Sequence, residues 1–225
     1  MGSRPLYLFA DSQLLFWKSH GKLLLEDVRD PTTAAAYIGA SNGDRREFYG
    51  IFEAAMDAVG ITDRRMIDSG FSPEDREFLN RAQLIVLSGG DVRRGWTTFE
   101  KTGMKDLILA KHAAGAVLVG ISAGAVQLGR HAVLDESDSS ALELFDVFDF
   151  VPALIDVHDE QRDWPRLTST VRLLEGSITG IGIPTGGGMV FHPDGTAVAL
   201  RHPVREFRWD GMQLVHSLLL PDEDA

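Results

Sequence analysis

An α/β fold in three layers is predicted for this 225-residue chain: a mostly parallel sheet between helices, with an antiparallel β extension at the C-terminal end. Three observations carry that prediction. Short apolar runs alternate with segments of helical periodicity through most of the chain, the pattern of a sheet covered on both faces. Several of those runs end directly in Gly- and Ser-rich turns, the grammar of a strand feeding a helix. The last third carries only strand-like runs broken by Gly, Pro and Asp.

The elements follow in order. Leu6–Phe9 reads as a buried strand, and Leu14–Trp17 as a helix start or a loop. Ala34–Gly39 is a second strand, closed by the turn residues Ala40-Ser41-Asn42-Gly43-Asp44. Phe48, Ile51, Phe52, Ala55, Met56 and Val59 recur at helical spacing and predict a helix over 46–60 that Gly60 stops. Arg64–Asp68 is a short strand. Ser72-Pro73-Glu74-Asp75 is a helix N-terminus with its cap, a first-turn proline and two acids. Leu84–Leu87 is a strand ending in Ser88-Gly89-Gly90-Asp91, and Lys105–Ala114 is helical. Val117–Val119 is a strand followed by Gly120-Ile121-Ser122-Ala123-Gly124, with a helix opening at Ala125–Gly129. Ala132–Leu134 is a further strand. Thr179–Ile183, Gly188–Phe191, Ala197–Leu200, Val204–Trp209 and Gln213–Leu219 read as an antiparallel extension of the same sheet or as a small β-layer, with a turn at His192-Pro193-Asp194-Gly195. No composition shift marks a linker, so one domain over 1–225 is expected.

Composition narrows the function. Apolar residues are 44% and charged residues 24% of the chain, which fits a globular protein and excludes disorder. Against 33 Asp+Glu stand 22 Lys+Arg, a net charge of −11 that argues against nucleic acid or an anionic membrane as partner. There is no cysteine, so thiol nucleophiles, disulfides and thiolate metal sites are excluded. The most apolar stretch, Leu107–Gly129, is broken by Lys111 and His112 and cannot span a bilayer. No secretory leader is seen at the N-terminus, and a cytoplasmic location is expected. No His-Glu-x-x-His or similar metal motif occurs, and no cofactor is expected.

Gly120-Ile121-Ser122-Ala123-Gly124 fits Gly-x-Ser-x-Gly, a strand-to-helix turn that exposes a serine hydroxyl where close backbone approach needs glycine. The following helix start points N–H groups at the same spot. Ser88-Gly89-Gly90-Asp91 also follows a strand, and in a parallel sheet the two turns emerge at the same edge. A serine needs a base. Among seven histidines, His158 stands out in the dense polar segment Asp156-Val157-His158-Asp159-Glu160-Gln161-Arg162-Asp163-Trp164, whereas His112 and His192 read as surface residues. Asp135, Glu136 and Asp138 are open as the orienting acid, as is Asp156, and Ser122…Asp135…His158 follows an order used by α/β hydrolases.

Taken together, Leu87–Asp91, Gly120–Ala125, Asp156-Val157-His158 and Gly180-Ile181-Gly182-Ile183 resemble the peptidase E and cyanophycinase family of serine peptidases over roughly residues 35–200. The resemblance implies a fold similar to class I glutamine amidotransferases, Ser122 as nucleophile and His158 as base. It also implies an oxyanion hole from the amides of Gly90 and Ala123. Two departures stand out. Where cyanophycinase-like members carry an acid after Gly-Ile-Gly-Ile, this chain has Pro184-Thr185, so Asp135 or Glu136 would complete the triad. Of the arginines that grip cyanophycin, Arg162 and Arg166 have counterparts but Trp164 replaces another, which argues against cyanophycin as substrate.

The expected activity is therefore hydrolysis of short peptides, dipeptides with an N-terminal aspartyl residue first, with Arg162 or Arg166 gripping the substrate carboxylate. Arg93 and Arg94 are alternative anchors. A carboxypeptidase and a β-aspartyl peptidase are rival specificities. A non-catalytic, ligand-binding relative that lost its acid is the rival of another class. The expected partner is a small peptide, with a homodimer left open.

Overall fold

The computed structural model describes residues 4–19, 21–25, 28, 33–135 and 142–221. The chain runs through β1 (Leu6–Phe9), β2 (Lys18–Ser19), β3 (Lys22–Leu23), β4 (Ala34–Ile38), α1 (Arg46–Val59), β5 (Asp63–Ile67), α2 (Pro73–Arg81) and β6 (Leu84–Leu87). It continues through α3 (Val92–Thr102), α4 (Met104–Ala113), β7 (Val117–Ile121), α5 (Ala123–Gln127), β8 (His131–Asp135) and β9 (Leu142–Asp146). It ends with β10 (Ala153–Val157), α6 (Pro165–Leu173), β11 (Thr179–Ile183), β12 (Gly188–Phe191), β13 (Ala197–Leu200), β14 (Val204–Trp209) and β15 (Leu214–Leu219).

Seven strands form the main sheet in the order β13-β12-β1-β7-β6-β4-β5, with β7 at its centre. The five from β1 to β5 run parallel, while β12 and β13 are antiparallel. Strand alternation sorts the side chains into two cores. Ile85, Leu87 and Leu118 face α2–α5 with Phe78, Leu79, Phe99 and Ile108. Leu84, Val86, Val117 and Val119 face α1 with Phe52, Ala55 and Met56. Both faces of β6 and β7 are thus buried, which is why these strands read as continuous apolar runs. The helix caps are as the sequence predicts. Gly60 ends α1 at φ 75°, and Ser72 and Asp75 close a capping box at the start of α2.

The last third divides between the two expected arrangements. Only β12 and β13 extend the main sheet. β11 instead lies parallel to β10 in a second sheet of order β10-β11-β14-β15. Against that sheet α6 packs through Trp164, Leu167 and Val171, which meet Leu154 and Phe207. Its tight docking explains the glycines of Gly180-Ile181-Gly182-Ile183. A Cβ on Gly182 would lie 2.7 Å from the Trp164 indole, and one on Gly180 would lie 2.7 Å from Val171. The helix after the serine covers Ala123–Gln127, two residues earlier than expected. His112, expected at the surface, is buried edge-on against Phe150 with ring centres 4.6 Å apart, and burial lowers its pKa.

Candidate active site

β7 delivers Ser122 to the carboxyl edge of the sheet, beside the ends of β1 and β6. Its backbone is in a strained region, φ 51° and ψ −108°, a conformation that costs on the order of 1–3 kcal/mol. The surroundings hold it there. The Ser122 N–H donates to the Phe9 carbonyl at 2.8 Å, and the Ser122 carbonyl accepts from Val126 N–H at 3.1 Å. Both glycines of the motif have a steric reason. A Cβ on Gly120 would meet the Gly124 carbonyl carbon at 2.5 Å, and one on Gly124 would come within 2.8 Å of the Leu87 Cβ.

The turn after β6 closes over the same edge. Gly90 sits at φ 129°, and a Cβ there would overlap the Ser41 carbonyl. Asp91 N–H donates to that carbonyl at 2.8 Å, and the Asp91 carboxylate caps α3 by accepting from Arg94 N–H at 2.7 Å. Gln127, fully buried, donates to Ser41 Oγ at 3.2 Å and to the Val92 carbonyl at 3.0 Å, tying α5 to both turns. Among the described residues Gly90 N–H donates to no backbone carbonyl. Ala123 is the first residue of α5, where the N–H has no intrahelical acceptor. Both residues line the cleft at Ser122.

His158 arrives from the second sheet. It follows β10 with left-handed backbone, φ 58°, and its N–H donates to the Ile183 carbonyl at 3.1 Å. Its Nε2 lies 2.9 Å from Ser122 Oγ, across 36 residues of sequence. With the ring proton on Nδ1, Nε2 accepts the serine hydroxyl hydrogen, the geometry a general base needs.

The acids and arginines divide. Asp156 is buried. Its Oδ1 accepts from Val157 N–H at 3.0 Å and from Arg166 at 2.5 Å. Burial raises its pKa, opposed by Arg166. The backbone of Asp135 pairs with Leu142, but its side chain lies outside the described residues, as do Glu136 and Asp138. Arg162 is 71% exposed, 3.6 Å from Asp159, and lines neither cleft beside Ser122, contrary to the expected grip on substrate. Arg166 does line the larger cleft, but bonded to Asp156. Trp164 is buried under β11, so the residue that replaces the expected arginine does not reach the cleft.

Ser122, His158, Gly90 and Asp91 form a wall shared by two clefts of about 650 and 410 Å³. The larger contains Arg93, paired with Glu143 and stacked on the Phe145 ring. The smaller is walled by Leu15, Phe48, Ile51 and Phe52 and rimmed by Arg45 and Arg94. Arg45 pairs with Glu47 at 2.6 Å, whereas the Arg94 guanidinium has no acidic partner among the described residues. The smaller cleft had no sequence signal, since its walls come from α1 and the residues after β1. Among the described residues no group of three His, Asp or Glu side chains could hold a metal ion, and no helix is long and apolar enough to cross a membrane.

The family model for peptidase family S51 matches residues 24–199. A peptidase from an acI-B1 Actinobacterium superposes with a TM-score of 0.69 at 16% identity, covering 98% of this chain and 95% of its own. A candidate peptidase E protein from Listeria monocytogenes EGD-e superposes with a TM-score of 0.60 at 19% identity, covering 97% of this chain and 100% of its own. No functionally curated protein matches the sequence.

Proposed function

Because the chain belongs to peptidase family S51, we propose that it is a serine peptidase for short peptides, with Ser122 as nucleophile and His158 as base. The observation that carries this reading is the 2.9 Å contact between His158 Nε2 and Ser122 Oγ at a strained turn between two clefts. Ser122 Oγ attacks the scissile carbonyl as His158 takes its proton, and the carbonyl oxygen becomes an oxyanion held by the N–H groups of Gly90 and Ala123. His158 returns the proton to the leaving amine. Water, deprotonated by the same imidazole, then releases the acyl group from Ser122.

The two clefts suit the two sides of a scissile bond, and both are too small for a folded protein. The favoured substrates are dipeptides with an N-terminal aspartyl residue. Three of the four arginines at the clefts, Arg45, Arg93 and Arg166, are held by acids, so Arg94 is the cation left to meet a substrate carboxylate. The expected Arg166 contact would have to compete with buried Asp156. Hydrolysis of C-terminal residues and of β-linked aspartyl peptides are the alternative specificities.

The test is a panel of α-linked Asp-X dipeptides, β-linked Asp-X dipeptides and longer peptides, run beside labelling by a fluorophosphonate probe. Ser122→Ala is expected to abolish labelling and to lower kcat/KM by about 10⁴-fold or more. Undiminished hydrolysis by Ser122→Ala refutes the mechanism. A parent protein that neither cleaves nor labels is the non-catalytic relative.

A further inference from the structure

We propose that Glu160 is the carboxylate that orients the His158 imidazole and stabilises its charged form. The assignment rests on the serine-peptidase reading above and supplies the third group that Ser122 and His158 require.

Glu160 opens the 3-10 turn Glu160–Arg162, two residues after His158. Its Oε2 is buried and accepts no hydrogen bond among the described residues, an expensive state for an anion unless a positive charge arises beside it. Glu160 and His158 are tied to the same end of β11. His158 N–H donates to the Ile183 carbonyl, and the hydroxyl and amide of Thr185, two residues on, act on the Glu160 carboxylate. Burial works to raise the Glu160 pKa, but its own N–H, the Thr185 hydroxyl and amide and the His158 imidazole outweigh burial, so the group lies below its ordinary value. It is an anion throughout the range in which an imidazole titrates.

The other charged groups around this turn are engaged elsewhere. Asp156 is bonded to Arg166, and Asp159 faces Arg162 at 3.6 Å. Asp11 accepts from Gly186 N–H at 2.7 Å and from Gln13 N–H at 2.9 Å. Thr185 thus holds a carboxylate that reaches in from the histidine's own turn.

An anion beside the imidazole stabilises imidazolium, which lowers the barrier to taking the Ser122 proton. The experiment is the pH profile of fluorophosphonate labelling and of peptide hydrolysis for the parent, Glu160→Gln, Glu160→Asp and Asp159→Asn. Glu160→Gln is expected to slow both reactions about 100-fold or more and to move the acid limb of the profile to lower pH. Glu160→Asp keeps the charge, holds the limb near its parental position and recovers at least part of the rate. Asp159→Asn behaves as the parent.

A Glu160→Gln protein with parental rate, or with a lost rate and an unmoved limb, overturns the assignment. So does a loss that follows Asp135→Asn or Asp159→Asn instead. Should the Gln variant fail to fold, a Glu160→Asp limb displaced downward from the parent's refutes the proposal in its place. A parent that takes no label defeats the serine-peptidase reading and this inference with it. A labelled parent with an indifferent Glu160→Gln variant defeats only the assignment of Glu160.

Discussion

The serine turn and the histidine turn meet across one 2.9 Å contact, and they are held in place by opposite means. Around Ser122 the contacts are backbone on backbone. Gly120 lies over the Gly124 carbonyl, Ser122 N–H is fixed to Phe9, and Gly90 lies on the Ser41 carbonyl. Around His158 the backbone bond to Ile183 is joined by side-chain contacts. The Trp164 indole fills the space over Gly182, Arg166 holds Asp156, and Arg205 holds Asp163 at 2.5 Å. The histidine turn also has three non-glycine residues with left-handed backbone, His158, Asp163 and Trp164, where the serine turn has Ser122. A serine fixed by peptide groups leaves little room for sequence change. A histidine fixed by packing and charge can keep its position while the residues that hold it are exchanged.

The sharpest way to break this comparison is to add one methyl group to each side. Gly124→Ala places a Cβ against the Leu87 carbonyl, which is part of the β6 backbone and cannot rotate away. We expect a loss of about 3 kcal/mol or more in urea unfolding and no labelling at Ser122. Gly182→Ala meets only an indole ring, though one that is 1% exposed. Its expected cost is about 1–3 kcal/mol, and Trp164→Leu should relieve part of it. The double variant is then less destabilised than the sum of the singles, a coupling that unfolding of all four proteins measures. No side-chain substitution should rescue Gly124→Ala in the same way. A small, rescuable Gly124→Ala would show that the serine turn is as adjustable as the histidine turn.

The same contrast decides how much could be read from the sequence. The serine turn was legible because its constraint is local: a buried strand, two glycines at fixed spacing and a small-residue helix start. The parallel strands and the caps of α1 and α2 were legible for the same reason. His158 could be singled out by its polar neighbourhood, but its partner could not. The acid proposed above rests on β10 and β11 being adjacent, a pairing between segments far apart in sequence that periodicity does not encode. Reading β11 only with the strands that follow it, in an extension of the main sheet or a small β-layer, left its pairing with β10 unread. α3 and α6 were missed because few apolar residues mark their buried faces, Trp96 and Phe99 in one and Leu167 and Val171 in the other, and a motif position does not say which way a turn points Arg162.

The smallest expected effect separates charge from packing on the histidine side. Asp156 sits opposite Gly182 in the β10–β11 register, 2.5 Å from Arg166, and burial raises its pKa despite that partner. A carboxyl whose pKa is higher folded than unfolded binds its proton more tightly in the native state. Its contribution to stability is therefore complete below the unfolded value and is lost as pH rises through the folded one. Asp156→Asn cannot ionise and lacks this dependence. The stability of the parent relative to Asp156→Asn should accordingly decline between pH 4 and pH 7, by an amount that urea unfolding at the two pH values resolves. The Arg166 contact limits the decline, because it favours the ionised form. A parent that instead gains on the variant as pH rises would mean that the Arg166 pair outweighs burial, and that charge rather than packing is what holds β10 beside the serine.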